Sequence, residues 1–279
     1  VRYVDAAHWS HQRLLGGAER ADEQYWRRRL AAPPPPLALP TDRPRGARRA
    51  TRGAVVRRDV DRDWAQRLRR RAREQETTEF AVVAAAYAAT LYRLTGQSTF
   101  GIGAPASGRT HPDLEDVIGM FVSTVCLDLQ VDPGMRLLDL LARTDARTRG
   151  ALAHQHLPFE QVVHQLGVRP DPGRTPLFEA FIALQTIDFY AFHRDGLDVS
   201  VEVLNPGTTR FDLNLQIYRR PERLVLDLEY ATELFERSSA EHILDLYLAT
   251  AAELLDDPSQ PVRRVAVATG ADPMSDFDF

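Results

Sequence analysis

Three histidines fall close together in the stretch AHQHLPFEQVVHQL, residues 153–166. His154 and His156 lie two positions apart, and His164 follows eight residues later. A zinc site needs three or four converging ligands, usually at short spacings on one element. Pro158 interrupts any helix that the three imidazoles could share. The spacing therefore argues against a metal site, and these residues on their own favour a structural role.

The other reactive residues give no complete catalytic pattern. Cys126, the one cysteine, lies in the apolar run MFVSTVCLDL, which favours a buried inert thiol over a nucleophile and fits a reducing compartment. The sequence has no G-x-S-x-G nucleophile motif. The glycine pattern GIGAPASG lacks the third-glycine spacing and the following helix of a dinucleotide site.

Composition excludes several classes of protein. The 279 residues are 44% hydrophobic and 27% charged, with a net charge of −4, so nothing favours a nucleic-acid partner. No run approaches the roughly 20 apolar residues of a membrane span, and no secretory signal is visible. We expect a cytoplasmic protein without nucleic-acid or membrane partners. Because the first residue is valine, we also expect a piece of a longer sequence.

The elements that must position these residues alternate between helix and strand patterns. A helix is predicted from Thr78, a candidate N-cap, to the terminating Gly96. Tyr3 to Leu30 also has a helical pattern, whereas the proline-rich residues 31–49 predict an extended connector. Further helices are predicted up to Glu74, over 134–154 and over 239–255, and strands over 53–60, 98–105, 120–131, 177–186, 197–203, 208–220 and 223–231. Helices followed by a run of strands indicate a layered α/β sandwich.

Four stretches in order resemble successive core motifs of the condensation domains of nonribosomal peptide synthetases. They are YVDAAHW (3–9), IGMFVSTVCLDL (118–129), HQHLPFEQVV (154–163) and RPDPGRTPLF (169–178). The flanking stretches YWRRRL with LPTDRPR, LYRLTGQSTFGIGAPASGR and TRFDLNLQIYRRPERLVLDLEYATELFE are similar to the same family. The resemblance covers residues 3 to 265.

The resemblance implies a fold of two chloramphenicol-acetyltransferase-like lobes, each a mixed sheet covered by helices, that face each other across a tunnel. The family's active-site motif, His-His-x-x-x-Asp-Gly, lies at the end of the first lobe, and this sequence has no adjacent histidines. Residues 1–265 are therefore expected to be the C-terminal lobe, and 266–279 an acidic tail or linker. No catalytic residue is expected in this chain, which we predict to be inactive alone.

Together with an N-terminal lobe, the resemblance implies an acyltransferase of antibiotic or other secondary-metabolite biosynthesis. It would form an amide or ester between an acyl thioester donor and an acceptor, both on phosphopantetheine arms of peptidyl carrier domains. No cofactor would be bound directly. An epimerisation domain shares the fold, but IGMFVST fits the condensation pattern better. A free-standing acyltransferase of the same superfamily fits the sequence less well, because its substrates need no carrier-protein contacts.

Seven residues become candidates for the tunnel or the inter-lobe contact through this resemblance. Arg109 would pair with the Asp of the absent motif, and Phe121, Ser123 and Thr124 would line the tunnel near the acceptor. The segment with Pro158 near the start of a helix would form a structural corner beside the tunnel. The candidates are Arg109, Phe121, Ser123, Thr124, His154, Gln155 and Arg210.

The sequence departs from the family pattern at four motif positions. Ser123 and Thr175 stand where Asn is usual, Asp128 stands at or near an Arg position, and His156 replaces Asp. These departures leave a second function open, a degenerate non-catalytic domain that recruits a carrier protein or a tailoring enzyme. The acidic tail has two interpretations as well. It is either a disordered end or a docking motif that inserts Phe277 and Phe279 into a partner's groove.

Overall fold

A computed structural model describes residues 1–49, 51–169, 171–185, 191–194, 196–200, 203–220 and 223–263. These residues form a six-stranded mixed sheet packed against helices, and a separate two-stranded hairpin. The strands are β1 Gly53–Val60, β2 Thr99–Ala106, β3 Ser123–Gln130, β4 Ala180–Gln185, β5 Ala191–Arg194, β6 Leu197–Ser200, β7 Leu213–Arg219 and β8 Leu224–Ala231. The helices are α1 Tyr3–Leu15, α2 Arg20–Arg29, α3 Arg62–Glu74, α4 Glu79–Thr95, α5 Leu137–Ala153, α6 Phe159–Gln165 and α7 Arg237–Asp256, with a 3₁₀ turn at Pro112–Leu114.

The main sheet has the strand order β1-β8-β7-β4-β2-β3. The central pairs β7–β4 and β4–β2 are parallel, and the outer pairs are antiparallel. Parallel neighbours need long crossover connections. The connection from β2 to β4 contains β3, α5 and α6, and the connection from β4 to β7 contains the β5–β6 hairpin. The architecture confirms the predicted α/β sandwich with a mixed sheet covered by helices.

Helix α4 is the centre of the core. Its N-cap Thr78 accepts a hydrogen bond from the Ala81 amide at 3.1 Å, and its C-cap Gly96 has φ 66°, as the sequence predicted. The helix is buried on nearly every side because it packs between the sheet and α3, α5 and α7. Its many alanines allow this close approach.

Two predicted elements differ from the structure. The helical pattern Tyr3–Leu30 is split into α1 and α2, because Gly17 takes φ 69°, which an ordinary helix residue does not adopt. The strand predicted over 208–220 begins only at Leu213, and Phe211 lies before it, stacked on Phe181 with centroids 4.6 Å apart. Leu213, Leu215 and Ile217 do alternate toward the core as predicted.

The connector of residues 31–49 has no helix or strand, as its prolines predict. Its Leu37 is buried, and the Leu37 amide donates to Glu179 Oε2 at 2.9 Å. Arg45, further along, bonds to Asp212. The connector is thus fixed to residues that flank β4 and β7.

Candidate functional site

Three of the sequence motifs meet at a pocket of about 380 Å³. One wall is α1, the second is the loop of residues 107–122 with the start of β3, and the third is the turn between α5 and α6. These walls come from the YVDAAHW, IGMFVST and HQHLPFE stretches. Its lining includes Trp9, His11, Phe121, Ser123, Gln155 and His156.

The 107–122 loop is held by Arg109 from within. Its guanidinium donates to the carbonyl oxygens of Leu114 and Glu115. The same group lies over the Phe121 ring, 4.4 Å from its centroid, in a cation–π contact. Arg109 therefore shapes its own loop, and the pairing with a first-lobe Asp stays a prediction.

Gln155 ties this loop to the end of α5. Its side-chain carbonyl accepts from the Gly108 amide at 3.1 Å, and its amide donates to the Leu152 carbonyl at 2.8 Å. Gly108 has φ 66°, and a Cβ there would lie 2.0 Å from the Phe121 carbonyl oxygen. Only glycine allows the two ends of the loop to approach so closely.

Tyr3 ties the loop to α1. Its hydroxyl donates to the Met120 carbonyl at 2.9 Å, and its ring meets Phe121 edge to face at 5.2 Å. The pocket therefore has three walls that are bonded to one another. Trp9 and His11, which also line it, were missed as site residues, although the YVDAAHW motif and its helical pattern could have indicated them.

His154 points away from the pocket, toward α2. Its Nδ1 lies 2.6 Å from Asp22 Oδ1, its ring stacks on Tyr25 at 4.1 Å, and its carbonyl accepts from Trp26 Nε1 at 2.9 Å. These contacts make the end of α5 a corner packed on α2. His156 lines the pocket instead, and His164 is exposed on α6. Among the described residues, no three His, Cys, Asp or Glu side chains converge as a metal site requires.

The remaining candidates lie elsewhere. Thr124 pairs with Pro105 in the β2–β3 register and does not line the pocket. Arg210 is exposed before β7 and forms no hydrogen bond or ion pair with the described part of the chain. The predicted tunnel and inter-lobe roles of both stay predictions. Phe277 and Phe279 lie outside the described residues.

The model of the condensation domain family matches residues 1–272. The chain belongs to the condensation domain family. Malpibaldin synthetase of Mortierella alpina is 36% identical over 267 residues, which are 95% of this chain and 5% of the synthetase. Tyrocidine synthase 3 of Brevibacillus parabrevis is 31% identical over 267 residues, 96% of this chain and 4% of that protein. The chain thus spans a small fraction of the length of these curated relatives.

Solved structures share the fold. The X-domain from teicoplanin biosynthesis superposes with a TM-score of 0.85 at 23% sequence identity. The match covers 96% of this chain and 62% of the X-domain chain. The first condensation domain of the CDA synthetase gives 0.77 at 22% identity, over 91% of this chain and 55% of that one. None of the described helices has the length and apolar character that a membrane crossing needs.

Two departures from the family pattern have partners within this chain. Asp128 accepts from Arg29 Nε at 2.8 Å, so the edge strand β3 is bridged to α2 by an ion pair. Thr175 accepts a hydrogen bond from Arg49 at 3.2 Å, which fixes the end of the connector. The side chains of Asp128 and Thr175 are thus bound by arginines of this same chain.

Cys126 is unsuited to nucleophilic catalysis. Its thiol is buried in β3, and its contact with the Leu177 carbonyl oxygen is 3.9 Å long. Burial raises the pKa of the Cys126 thiol well above its usual range. The reactive thiolate is therefore not available at neutral pH.

Proposed function

We propose that this chain is the C-terminal lobe of a nonribosomal peptide synthetase condensation domain. With an N-terminal lobe it would join an acyl thioester on a donor carrier domain to the amine of an acceptor on a second carrier domain. Phosphopantetheine arms would hold both substrates. The observation that carries the proposal is the meeting of three condensation motifs around one pocket, in a chain whose residues 1–272 match the family model.

The reaction needs no covalent intermediate on the protein. The acceptor nitrogen attacks the thioester carbon, a C–N bond forms and the C–S bond breaks. The donor arm leaves as a thiol, and a proton passes from the nitrogen to the solution or to sulfur. Holding the amine and the acyl carbon together lowers the barrier through proximity. The tunnel between the two lobes would supply this, with the three-walled pocket as part of the wall that this chain contributes, and the buried Cys126 takes no part.

The outer side of the 107–122 loop is expected to be covered by the N-terminal lobe. Ile118 is 95% exposed, and Met120 and Val122 on the same segment are exposed as well. Exposed apolar patches of this kind mark interaction surfaces. The solved neighbours contain further chain outside the matched part, since this chain covers 62% or less of the X-domain and CDA condensation structures.

A carrier-to-carrier transfer assay on the complete condensation domain that includes this chain tests the proposal. One carrier is loaded with an acyl group and the other with an aminoacyl group, and the condensed product is detected by mass spectrometry. We expect product that depends on both loaded carriers. Absence of product with properly loaded carriers would overturn the proposal and favour the non-catalytic recruiting module.

The inter-lobe surface can be tested in the same preparation with Ile118→Ser. Burial of an isoleucine contributes about 1.5–3 kcal/mol, so this change should lower the thermal midpoint by a few degrees and reduce the transfer rate. Leu15→Ser is the matched control, because Leu15 is 69% exposed at the other end of α1 from Tyr3. Equal midpoints for both variants and the parent domain would show that the first lobe does not cover Ile118.

A further inference from the structure

The pocket is lined by imidazole and hydroxyl side chains and by no carboxylate of the described residues. His11 from α1 and His156 from the α5–α6 turn both line it, together with the hydroxyl residues Ser10, Thr110 and Ser123. Among the described residues, the lining includes no Asp, Glu or Arg side chain. The pocket therefore offers hydrogen-bond donors and two groups that can carry positive charge, with no carboxylate to oppose them.

Several of these donors have no partner within the described part of the chain. Neither His11 nor His156 forms a hydrogen bond or an ion pair there, in contrast to His154, which is bound to Asp22. The Ser123 hydroxyl is buried and also unpaired among the described residues. An unpaired buried hydroxyl such as that of Ser123 is unfavourable. His11 is exposed and His156 is half-buried, so both imidazoles are open to a molecule in the pocket. The three groups are therefore suited to a bound molecule that supplies oxygen acceptors.

The walls that carry these groups are fixed in place. Ser123 is the first residue of β3 and pairs with Ala106 of β2. His156 follows Gln155, whose side chain bonds to both Gly108 and Leu152. A volume of about 380 Å³ lies within the range of ligand pockets and admits an amino-acid side chain. Fixed donors of this kind discriminate between substrates more strongly than an apolar surface does.

We propose that this pocket receives the side chain of the acceptor amino acid and selects one that ends in a carboxylate or a carboxamide. The inference rests on the proposed condensation function and goes beyond it by naming the class of acceptor. A neutral imidazole donates from one nitrogen and an imidazolium from both, so both forms can bind such an oxygen. A lysine side chain meets no opposite charge in the lining, and a leucine side chain leaves the donors unpaired.

The test uses the complete condensation domain that includes this chain, with one donor and four acceptor carriers loaded with Glu, Gln, Leu or Lys. The acceptors compete in one mixture, and product ratios give relative kcat/KM values. We expect Glu and Gln to exceed Leu and Lys by at least about tenfold. Products formed in equal amounts from all four acceptors would overturn the pocket assignment while leaving the condensation function intact. A lack of product from every acceptor would overturn the condensation function itself.

His156→Asp adds a second, charge-specific arm. It should lower the Glu:Lys product ratio by about tenfold or more, because a carboxylate in the wall repels the Glu side chain and attracts the Lys side chain. His164→Asp is the matched control, since His164 is exposed on α6 and outside the lining. An equal change for all four acceptors would overturn the assignment. If His156→Asp does not fold, His156→Leu decides: loss of one donor from the wall should lower both the Glu:Leu and the Gln:Leu product ratios. Unchanged ratios would contradict the proposal.

Discussion

The ion pair between Arg45 and Asp212 should contribute far more to stability than its neighbour on the same connector. Arg45 Nη1 lies 3.1 Å from Asp212 Oδ1 and 3.1 Å from the Gly173 carbonyl oxygen. The side chains of Arg45 and Asp212 are only 17% and 3% exposed. Arg43, two residues earlier, pairs with Glu236 at 3.1 Å, but these side chains are 46% and 58% exposed.

The substitution Arg45→Ala leaves the Asp212 carboxylate buried without its main partner. Loss of one member of a buried pair costs about 3–5 kcal/mol, whereas an exposed pair is worth about 0–1 kcal/mol. For a chain of this size, each kcal/mol corresponds to about 2–4 °C of thermal midpoint. We therefore expect a fall of about 6–20 °C for Arg45→Ala and no more than about 4 °C for Arg43→Ala.

Thermal unfolding followed by circular dichroism, with urea unfolding as a second measure, tests this difference. Arg43→Ala is the matched control because it removes the same side chain from the same connector. The double-mutant cycle of Arg45→Ala and Asp212→Ala isolates the pair, and strong coupling between the two changes is expected. Similar midpoints for Arg45→Ala and Arg43→Ala would refute the claim that the buried pair anchors the connector.

Two further predictions concern the loop of residues 107–122 and the pH dependence of stability. Gly108→Ala should reduce the transfer rate of the complete domain at least about tenfold while most of the fold survives. The reason is that the added Cβ would lie 2.0 Å from the Phe121 carbonyl oxygen and would displace the loop of residues 107–122. An unchanged transfer rate would contradict the role of this loop. Burial raises the pKa of Glu179, although hydrogen bonds from Leu37 and Arg174 oppose the shift. Because the pKa of Glu179 is higher in the folded than in the unfolded chain, the folded chain binds a proton more tightly at this carboxyl. The resulting stabilisation is fully present below the unfolded pKa and is lost as pH rises through the folded pKa. Urea unfolding of the parent and of Glu179→Gln at several pH values gives the difference between their unfolding free energies. This difference should shift in favour of the parent as pH falls from 7 toward the unfolded carboxyl pKa. A difference that does not change with pH would contradict the prediction.

Local signals explain why parts of the fold could be predicted from the sequence. The caps of α4, Thr78 and Gly96, act within one turn of the helix and are visible as residue types. The alternation of Leu213, Leu215 and Ile217 indicated a half-buried strand for the same reason. The hairpin strand β5 was missed because its pairing with β6 depends on chain reversal and not on a strong apolar pattern.

The parts that could not be predicted depend on contacts between distant residues. Phe211 continues the strand pattern in sequence, yet β7 begins only at Leu213, and the Phe211 ring stacks on Phe181. The partners of Arg109 are carbonyl groups of its own loop, and backbone carbonyls leave no trace in a sequence. The motif resemblance indicated Phe121, Ser123 and Gln155. Their meeting with Trp9 and His11 of α1 required the structure.

We propose that this chain works as one lobe of a two-lobed condensation enzyme. The most direct test compares the carrier-to-carrier transfer rate of residues 1–279 with that of the complete domain, using the same loaded carriers and the same protein concentration. We expect condensed product from the complete domain and none above the uncatalysed rate from residues 1–279. Equal rates from the two preparations would contradict it, because the chain would then need no first lobe.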